Sequence, residues 1–324
     1  MEDYEIILLI IISILFIILL LSILSRLIYH RSLMASVVEL FLRITCKKYD
    51  DQVVVAGLKK FEKINDKKYT LPKRLFLKNK VKEIGYKEMQ LFIFNECSNT
   101  NKAIIYIHGG AYVRQPRYEH IKYVKKLAKK TAYKVYLPIY PKAPKHSFEE
   151  SYDILRSLYN DIRKEHNEVF MMGDSAGGGL ALGLCQSFIE DDIKQPDELI
   201  LLSPWADISL ENERIKYFEK VEPMLSVSNT KIWGRAWANG TRLDDYRLSP
   251  IYGNCIGLKS VHIFIGTREI LYPDNIILYN VLEDSKVKVR LYEGIGMNHV
   301  YNVYPIPEAR IALNQVLNII KRRG

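Results

Sequence analysis

The sequence predicts an α/β fold in which a mostly parallel central sheet is flanked by helices on both faces. Apolar stretches of strand length alternate with segments of helical periodicity along most of the chain, and this alternation is typical of parallel strands joined by crossover helices. Two of the stretches, ending at Ile107 and Met172, lead directly into glycine-rich turns. The chain has 324 residues, of which 48% are hydrophobic, and this is enough for one large core.

The strands and helices can be placed in order along the chain. We expect strands at 89–94, 103–107, 134–139, 169–172, 199–202, 261–265 and 287–292. We expect helices near 118–130, 148–164, 176–189, 275–283 and 307–321. Two segments, 29–82 and 208–253, do not follow the alternation.

A serine held between glycines is a candidate nucleophile. The strand at 169–172 continues into the run Gly173-Asp174-Ser175-Ala176-Gly177-Gly178. In a nucleophile elbow the serine lies on a sharp turn between a strand and a helix, and glycines are needed because larger side chains would collide where the two elements cross. The pattern alone is weak, since it also occurs in ordinary turns. Its value depends on the residues that accompany it.

The first of these is a second glycine-rich turn, His108-Gly109-Gly110, at the end of the strand at 103–107. Backbone N–H groups from Gly109 and Gly110 could approach a substrate carbonyl without interference from side chains, as in an oxyanion hole. His108 is interpreted as a residue that organises this loop and not as a base.

A serine nucleophile also needs a base and a group that orients the base. Glu269 and Asp274 follow the predicted strand at 261–265, and His299 follows the strand at 287–292. Because the carboxyl ends of parallel strands meet at one edge of a sheet, these side chains are expected near Ser175. The order serine, acid, histidine is the one expected of an α/β-hydrolase.

Together these residues resemble the hormone-sensitive-lipase-like group of α/β-hydrolases, the bacterial family IV (GDXG) esterases. The resemblance extends from about residue 91 to the C-terminus and includes smaller ordered matches at 140–144, 202–207, 223–226 and 249–250. It implies an α/β-hydrolase fold, in which segments such as 29–82 and 208–253 fold together as a helical cap over the active site. The predicted hydrolase domain therefore spans 29–324.

The resemblance also implies a role for each site residue. Ser175 would be the nucleophile and His299 the general base. The N–H groups of Gly109, Gly110 and Ala176 would form the oxyanion hole.

The sequence departs from this family at two positions. Glu269 stands where an aspartate is usual, but a glutamate can orient a histidine equally well. Asp274 is the competing acid; it lies near the expected start of a helix, where an acidic residue also serves the helix dipole, so we favour Glu269. Ala111 stands where many relatives have a third glycine, and the oxyanion hole is expected to survive with two glycine donors.

The N-terminus predicts a membrane anchor over residues 1–28. From residue 6 to residue 25 the chain carries no charge and is almost entirely Ile and Leu, which is long enough to cross a bilayer as a helix. A cleaved signal peptide is the main alternative. It would begin with basic residues, whereas here Glu2, Asp3 and Glu5 come first. Bulky residues surround Ser22 and Ser25, where a cleavage site would need small ones.

The distribution of basic residues predicts the orientation of the anchor. No Lys or Arg precedes the span, and Arg26, Arg31, Arg43, Lys47 and Lys48 follow it. The positive-inside rule then places the catalytic domain in the cytoplasm. The formal net charge of +10 is assigned to this membrane-proximal segment, which continues with basic residues up to Lys73 and Arg74, because no nucleic-acid motif accompanies it.

The sequence thus predicts an enzyme that hydrolyses carboxylic esters of short- to medium-chain acyl groups, acetyl included, through an acyl-enzyme. No metal-ligand spacing, phosphate loop or dinucleotide fingerprint is present, so no metal or cofactor is expected. The expected partners are a small-molecule or lipid-like ester and the membrane. The alternatives are a membrane-associated lipase or amidase, and a ligand-binding hydrolase homologue without catalysis.

Overall fold

One sheet organises the protein. The computed structural model describes residues 3–72 and 81–321, in which eight strands form a sheet of order β1-β2-β4-β3-β5-β6-β7-β8. The strands are β1 (Val81–Tyr86), β2 (Met89–Phe94), β3 (Lys102–Ile107), β4 (Lys134–Ile139), β5 (Glu168–Asp174), β6 (Glu198–Leu202), β7 (Ser260–Gly266) and β8 (Lys288–Gly294). The pairs β1-β2 and β2-β4 are antiparallel and the other neighbours are parallel. The predicted fold class is confirmed.

Helices cover both faces of the sheet because successive strand residues point in opposite directions. They are α1 (Asp3–Tyr29), α2 (Leu33–Thr45), α3 (Asp51–Asn65), α4 (Tyr118–Thr131), α5 (Phe148–Glu165), α6 (Ala176–Glu190), α7 (Ile215–Glu219), α8 (Val227–Ala238), α9 (Tyr272–Asp284) and α10 (Pro307–Lys321). Along β3, Ile105 packs in a core shared with α5 and α6. Its neighbours Ile104 and Tyr106 pack in a second core shared with α4 and α10.

All predicted strands and core helices occur in the structure within a few residues of their expected ends, but β1 was not predicted. Its residues alternate poorly, because Lys82 and Glu83 are adjacent and exposed on this edge strand. Edge strands are often charged, which protects them from pairing with other chains. The hydrophobic period is therefore weak in this strand.

The two segments that break the alternation contact each other. Helix α3, from the first segment, packs against α8, from the second. The side chain of Asn229 accepts a hydrogen bond from the Tyr49 N–H at 3.1 Å and donates one to the Tyr49 carbonyl at 2.8 Å. Residues 73–80 of the first segment, including Lys73 and Arg74, lie outside the described residues.

Helix α1 stands apart from both cores. By length and composition its span Tyr4–Tyr29 could cross a membrane, and its apolar side chains are exposed. A signal sequence would pass the same test. The C-terminal end of the helix is tied to the rest of the chain through Ser25, which is buried and bonds to Ser36 Oγ at 2.6 Å.

Candidate active site

Ser175 lies on a strained turn between β5 and α6. Its φ of 52° is in the left-handed region, which non-glycine residues rarely adopt. A Cβ added at Gly173 would collide with the Gly177 carbonyl, and one added at Gly177 would collide with the Ile107 carbonyl. Strand, turn and helix therefore approach too closely for any residue but glycine on either side of the serine. This is the local geometry expected of a nucleophile elbow.

His299 and Glu269 form a hydrogen-bonded chain with Ser175. His299 Nε2 lies 2.9 Å from Ser175 Oγ, and His299 Nδ1 lies 2.5 Å from Glu269 Oε2. The histidine is 3% exposed and the glutamate is fully buried. The three residues follow β5, β7 and β8, so the parallel sheet brings them to one edge. The serine can pass a proton to a base whose tautomer is fixed by the acid.

Ser203 connects Glu269 to the loop that carries His299. The second oxygen of Glu269 accepts hydrogen bonds from Ser203 Oγ at 2.7 Å and from the Gly266 N–H at 2.8 Å. Ser203 Oγ in turn accepts from the Val300 N–H at 3.0 Å. The extra methylene of Glu269, compared with an aspartate, is accommodated because its carboxylate is anchored at both oxygens. Sequence reasoning did not identify this serine.

Asp274 does not meet the histidine in this arrangement. It lies in the first turn of α9, where its carboxylate accepts a hydrogen bond from Asn212 Nδ2 at 2.7 Å. Burial raises the pKa of this carboxyl to about 7. A carboxyl that is readily protonated near neutral pH would orient an imidazolium poorly, so its position and its pKa both argue against it as the acid.

The predicted oxyanion donors differ in availability. The Gly109 N–H donates to Asp174 Oδ1 at 3.0 Å and is therefore already engaged. Among the described residues, the N–H groups of Gly110, Ala111 and Ala176 have no acceptor within the protein. Ala111, which stands where many relatives have a glycine, adopts a φ of 53°, a left-handed conformation that glycine adopts readily. It therefore presents its backbone N–H as a glycine at this position would. The predicted donors Gly110 and Ala176 are therefore free to bind an oxyanion, and Ala111 offers a further free N–H where that of Gly109 is engaged.

Asp174 organises the loop that carries these donors. Besides the Gly109 N–H, its carboxylate accepts a hydrogen bond from Tyr106 Oη at 2.8 Å and lies 3.1 Å from His120 Nε2. Burial alone would raise the pKa of Asp174, but His120, Tyr106 and the N–H together lower it. The aspartate thus stays ionised in the core, where it fixes the loop beside Ser175.

His299 is a stronger base than an ordinary histidine. Burial acts to lower its pKa, but the charge and hydrogen bond of Glu269 outweigh burial, and Glu222 and Asp174 raise the pKa further. A higher pKa gives the imidazole more driving force to accept the serine proton.

Glu222 is a buried carboxyl that sequence reasoning did not identify. It accepts hydrogen bonds from the N–H groups of Met224 at 2.8 Å and Ile270 at 3.2 Å, and it thereby ties segment 208–253 to the residue after Glu269. Burial is the main reason that its pKa is raised to about 7. Its charge therefore varies with pH near the catalytic histidine candidate.

A small cavity of about 90 Å³ opens at Ser175. Its walls come from residues 110–120, the turn at Ser175, the loop of His299 and segment 208–253. The lining residues are Gly110, Ala111, Arg114, Arg117, Glu119, His120, Asp174, Ser175, Met224, Leu225, Trp233, His299, Val300, Val303 and Tyr304. Within residues 3–72 and 81–321 no three His, Cys, Asp or Glu side chains are grouped as metal ligands.

The comparisons with known proteins agree with this geometry. A family model described as the alpha/beta hydrolase fold matches residues 104–303. An esterase from Acinetobacter venetianus is 28% identical over 226 residues, which cover 68% of this chain and 74% of that protein. The carboxylesterase/phospholipase LipF of Mycobacterium tuberculosis is 33% identical over 237 residues, covering 69% of this chain and 63% of LipF.

Solved structures share the same architecture. An esterase candidate from Staphylococcus aureus superposes with a TM-score of 0.82 at 32% identity, over 86% of this chain and 96% of that one. An esterase from the bacterial hormone-sensitive lipase family superposes with a TM-score of 0.76 at 18% identity, over 89% and 97% of the two chains. At 18% identity, the similarity to this second structure shows a shared fold.

Proposed function

This chain belongs to the alpha/beta hydrolase family, among the hormone-sensitive-lipase-like esterases, and we propose that it cleaves its esters through Ser175, His299 and Glu269. Because its relatives are esterases, lipases and acetyl-hydrolases, the chain is a serine carboxylester hydrolase. The observation that carries the proposal is the unbroken hydrogen-bond chain from Ser175 Oγ through the imidazole to the buried Glu269 carboxylate.

The reaction proceeds in two acyl-transfer steps. His299 Nε2 takes the proton of Ser175 Oγ as that oxygen attacks the ester carbonyl, and it returns the proton to the leaving alkoxide. The negative oxygen of the tetrahedral intermediate accepts hydrogen bonds from the N–H groups of Gly110, Ala111 and Ala176. Water, deprotonated by the same histidine, then releases the acid from the serine.

The substrate proposed is an ester of a short- to medium-chain acyl group. The cavity at Ser175 has a volume of only about 90 Å³, and Met224, Leu225 and Trp233 contribute apolar walls. These three residues come from segment 208–253, which we propose as a helical cap together with segment 29–82. Amide substrates stay an alternative, because the same chemistry permits them.

A fluorophosphonate probe is expected to label the native enzyme at Ser175, because only a serine activated by a neighbouring base reacts with it. Mass spectrometry of the labelled peptide locates the adduct, and Ser175→Ala provides the control. Hydrolysis of p-nitrophenyl esters but not of matched p-nitroanilides would separate ester from amide chemistry. Labelling of another residue, or undiminished labelling of Ser175→Ala, would contradict the proposal.

We further propose that α1 anchors the enzyme and that α2 lies against the membrane surface. Helix α2 begins four residues after α1 ends and buries Ala35 and Leu42. Its opposite side exposes a row of large apolar side chains: Met34, Val37, Leu40, Phe41 and Ile44. Exposed apolar patches of this kind mark interaction surfaces, and an α1 that serves as an anchor would place a bilayer beside this one. Such a position would let an ester enter from the membrane.

The cytoplasmic orientation can be tested with a native thiol. Cys97 is exposed, whereas Cys185 and Cys255 are buried. In the full chain carrying Cys46→Ser, a membrane-impermeant maleimide is expected to label Cys97 only after cells are permeabilised, because the positive-inside rule keeps this domain in the cytoplasm. Cys97→Ser controls for background. Labelling of Cys97 in intact cells would show that the domain lies on the opposite side of the membrane and would contradict the cytoplasmic orientation.

A further inference from the structure

One charged side chain at the cavity of Ser175 has no ion-pair partner within residues 3–72 and 81–321. The other charged residues and histidines that line the cavity each lie beside a partner. Arg117 pairs with Glu119 at 3.4 Å, and His120 lies 3.1 Å from Asp174. His299 is bound to Glu269, which lies behind it. The residue left over is Arg114.

Arg114 has no hydrogen-bond acceptor or anionic partner among the described residues. Its guanidinium lies over the aromatic rings of Trp233, at 4.6 Å from the ring centre, and Phe61, at 5.4 Å. Its Nε is buried without an acceptor. Burial, followed by the charge of Arg117, lowers the pKa of this guanidinium, as expected for a cation whose neighbourhood lacks an anion.

This arrangement is costly unless an external group completes it. A buried N–H without an acceptor is unfavourable, and a partly buried cation without an anion more so. The two rings hold the planar guanidinium by cation–π contact and leave its N–H groups free to bind. The guanidinium geometry matches the two oxygens of a carboxylate or phosphate. Arg114 lines the same cavity as Ser175, so a group carried by an ester in that cavity can contact it.

We propose that the natural substrate is an ester that also carries an anionic oxyacid group, a carboxylate or a phosphate, and that Arg114 binds this group. The inference rests on the proposed function, because it assumes that the ester is cleaved at Ser175. It adds the substrate class: an acid or a phosphorylated alcohol in ester linkage, in preference to a neutral ester of the same size.

The test compares matched pairs of esters in the full-length enzyme. Monomethyl glutarate and methyl valerate differ by a carboxylate in place of a methyl group. Glycerol 1-butyrate 3-phosphate and glycerol 1-butyrate differ by a phosphate. We expect kcat/KM to favour the anionic member of at least one pair by roughly 10–100-fold, the effect of a charge-assisted hydrogen-bonded pair. The pair that shows the preference identifies whether carboxylate or phosphate is the ligand.

Variants assign the preference to Arg114. Arg114→Gln is expected to reduce the ratio of the two kcat/KM values to near one, and Arg114→Lys to restore part of it, because the charge returns without the fork geometry. Arg242→Gln is the matched control, since that arginine is exposed and pairs with Asp244. A ratio measured in one preparation does not depend on the fraction of folded enzyme.

A wild-type measurement covers the case in which Arg114→Gln does not fold. Glutarate or glycerol 3-phosphate should competitively inhibit cleavage of the neutral ester more strongly than glutaramide or glycerol does. Equal kcat/KM within both pairs in the wild type, or an unchanged ratio in folded Arg114→Gln, would overturn the inference. If the wild-type enzyme cleaved none of these esters, the neutral ones included, the proposed function itself would be refuted.

Discussion

Replacing Glu269 by glutamine is expected to lower kcat for ester hydrolysis by roughly 10³–10⁴-fold, because the wrong tautomer of His299 would be stabilised. A glutamine can still accept the bonds from Ser203 and Gly266 that anchor Oε1. Its amide would then face His299 Nδ1 and donate to it, which places the imidazole proton on Nε2, the atom that must accept from Ser175. Steady-state kinetics on a neutral short-chain ester measures the effect.

Asp274→Asn is the matched control for this substitution. Asp274 is also a buried carboxyl close along the chain, but it bonds to Asn212, and its pKa of about 7 makes the neutral side chain a fair replacement. We expect its kcat to change by less than about tenfold, because no reacting group touches it. The reverse ranking, with Asp274→Asn the more damaged variant, would assign the acid to Asp274 and contradict the proposed triad.

The pH dependence of Glu269→Gln provides an independent test of the role of Glu269. Only neutral His299 can accept a proton, so kcat/KM should rise with pH through the pKa of His299, which Glu269 holds above 6.5 despite burial. Glu269→Gln removes the largest influence that raises this pKa. Its residual activity should therefore reach its plateau at lower pH than that of the wild type.

The elements that position the site could be predicted because each has a strong local signal. Ser175 is marked by the glycines that its turn requires. Glu269 follows a largely apolar strand, and His299 follows a strand in which apolar and basic residues alternate. Since β5, β7 and β8 are parallel, knowing that they are strands is enough to place these residues at one edge. Strand β1 lacks such a signal, because the adjacent charged residues Lys82 and Glu83 interrupt its alternation.

The residues that support the site could not be found in the same way. His120 lies on the amphipathic helix α4, and nothing in its neighbourhood along the chain indicates that it contacts Asp174, 54 positions away. Ser203 and Glu222 likewise act through residues distant in sequence. The hydrogen bond from the Gly109 N–H could not be predicted either, because its acceptor is the side chain of Asp174, which lies on another strand. Tertiary packing alone creates these contacts.

A second large effect is expected at Glu39, the buried acid that links helix α2 to the loops of Glu269 and His299. Glu39 forms ion pairs with Arg31, Arg43 and Arg268. Arg31 is buried and also donates to the Gly296 carbonyl at 2.9 Å, in the loop that leads to His299. Arg268 immediately precedes Glu269. A single carboxylate therefore pairs with three cations, two of which, Arg31 and Arg268, join α2 to the loops of His299 and Glu269.

Glu39→Gln is expected to destabilise the protein by about 3–5 kcal/mol at neutral pH, because it leaves the buried Arg31 without its anion. In detergent-solubilised full-length enzyme this corresponds to a fall in melting temperature on the order of 10 °C. Exposed Glu211→Gln, which breaks a surface pair with Lys231, is the matched control and should melt like the wild type. An unchanged melting temperature in Glu39→Gln would mean that the three arginines are stabilised without it.

The pH dependence of this loss distinguishes a missing charge from a simple packing defect. Burial acts to raise the pKa of Glu39, but hydrogen bonds from Arg31, Arg43 and Arg268 outweigh it, and the net shift is downward from 4.5. A carboxyl whose pKa is lowered on folding stabilises the native state above its unfolded pKa and loses that contribution as the pH falls through its folded value. The gap in melting temperature between wild type and Glu39→Gln should therefore be full at neutral pH and close as the pH drops below 4.5. A packing defect would leave the gap constant. A gap that closes as the pH falls would show that the charge of Glu39 stabilises the native state, in which Arg31 and Arg268 join α2 to the loops of His299 and Glu269.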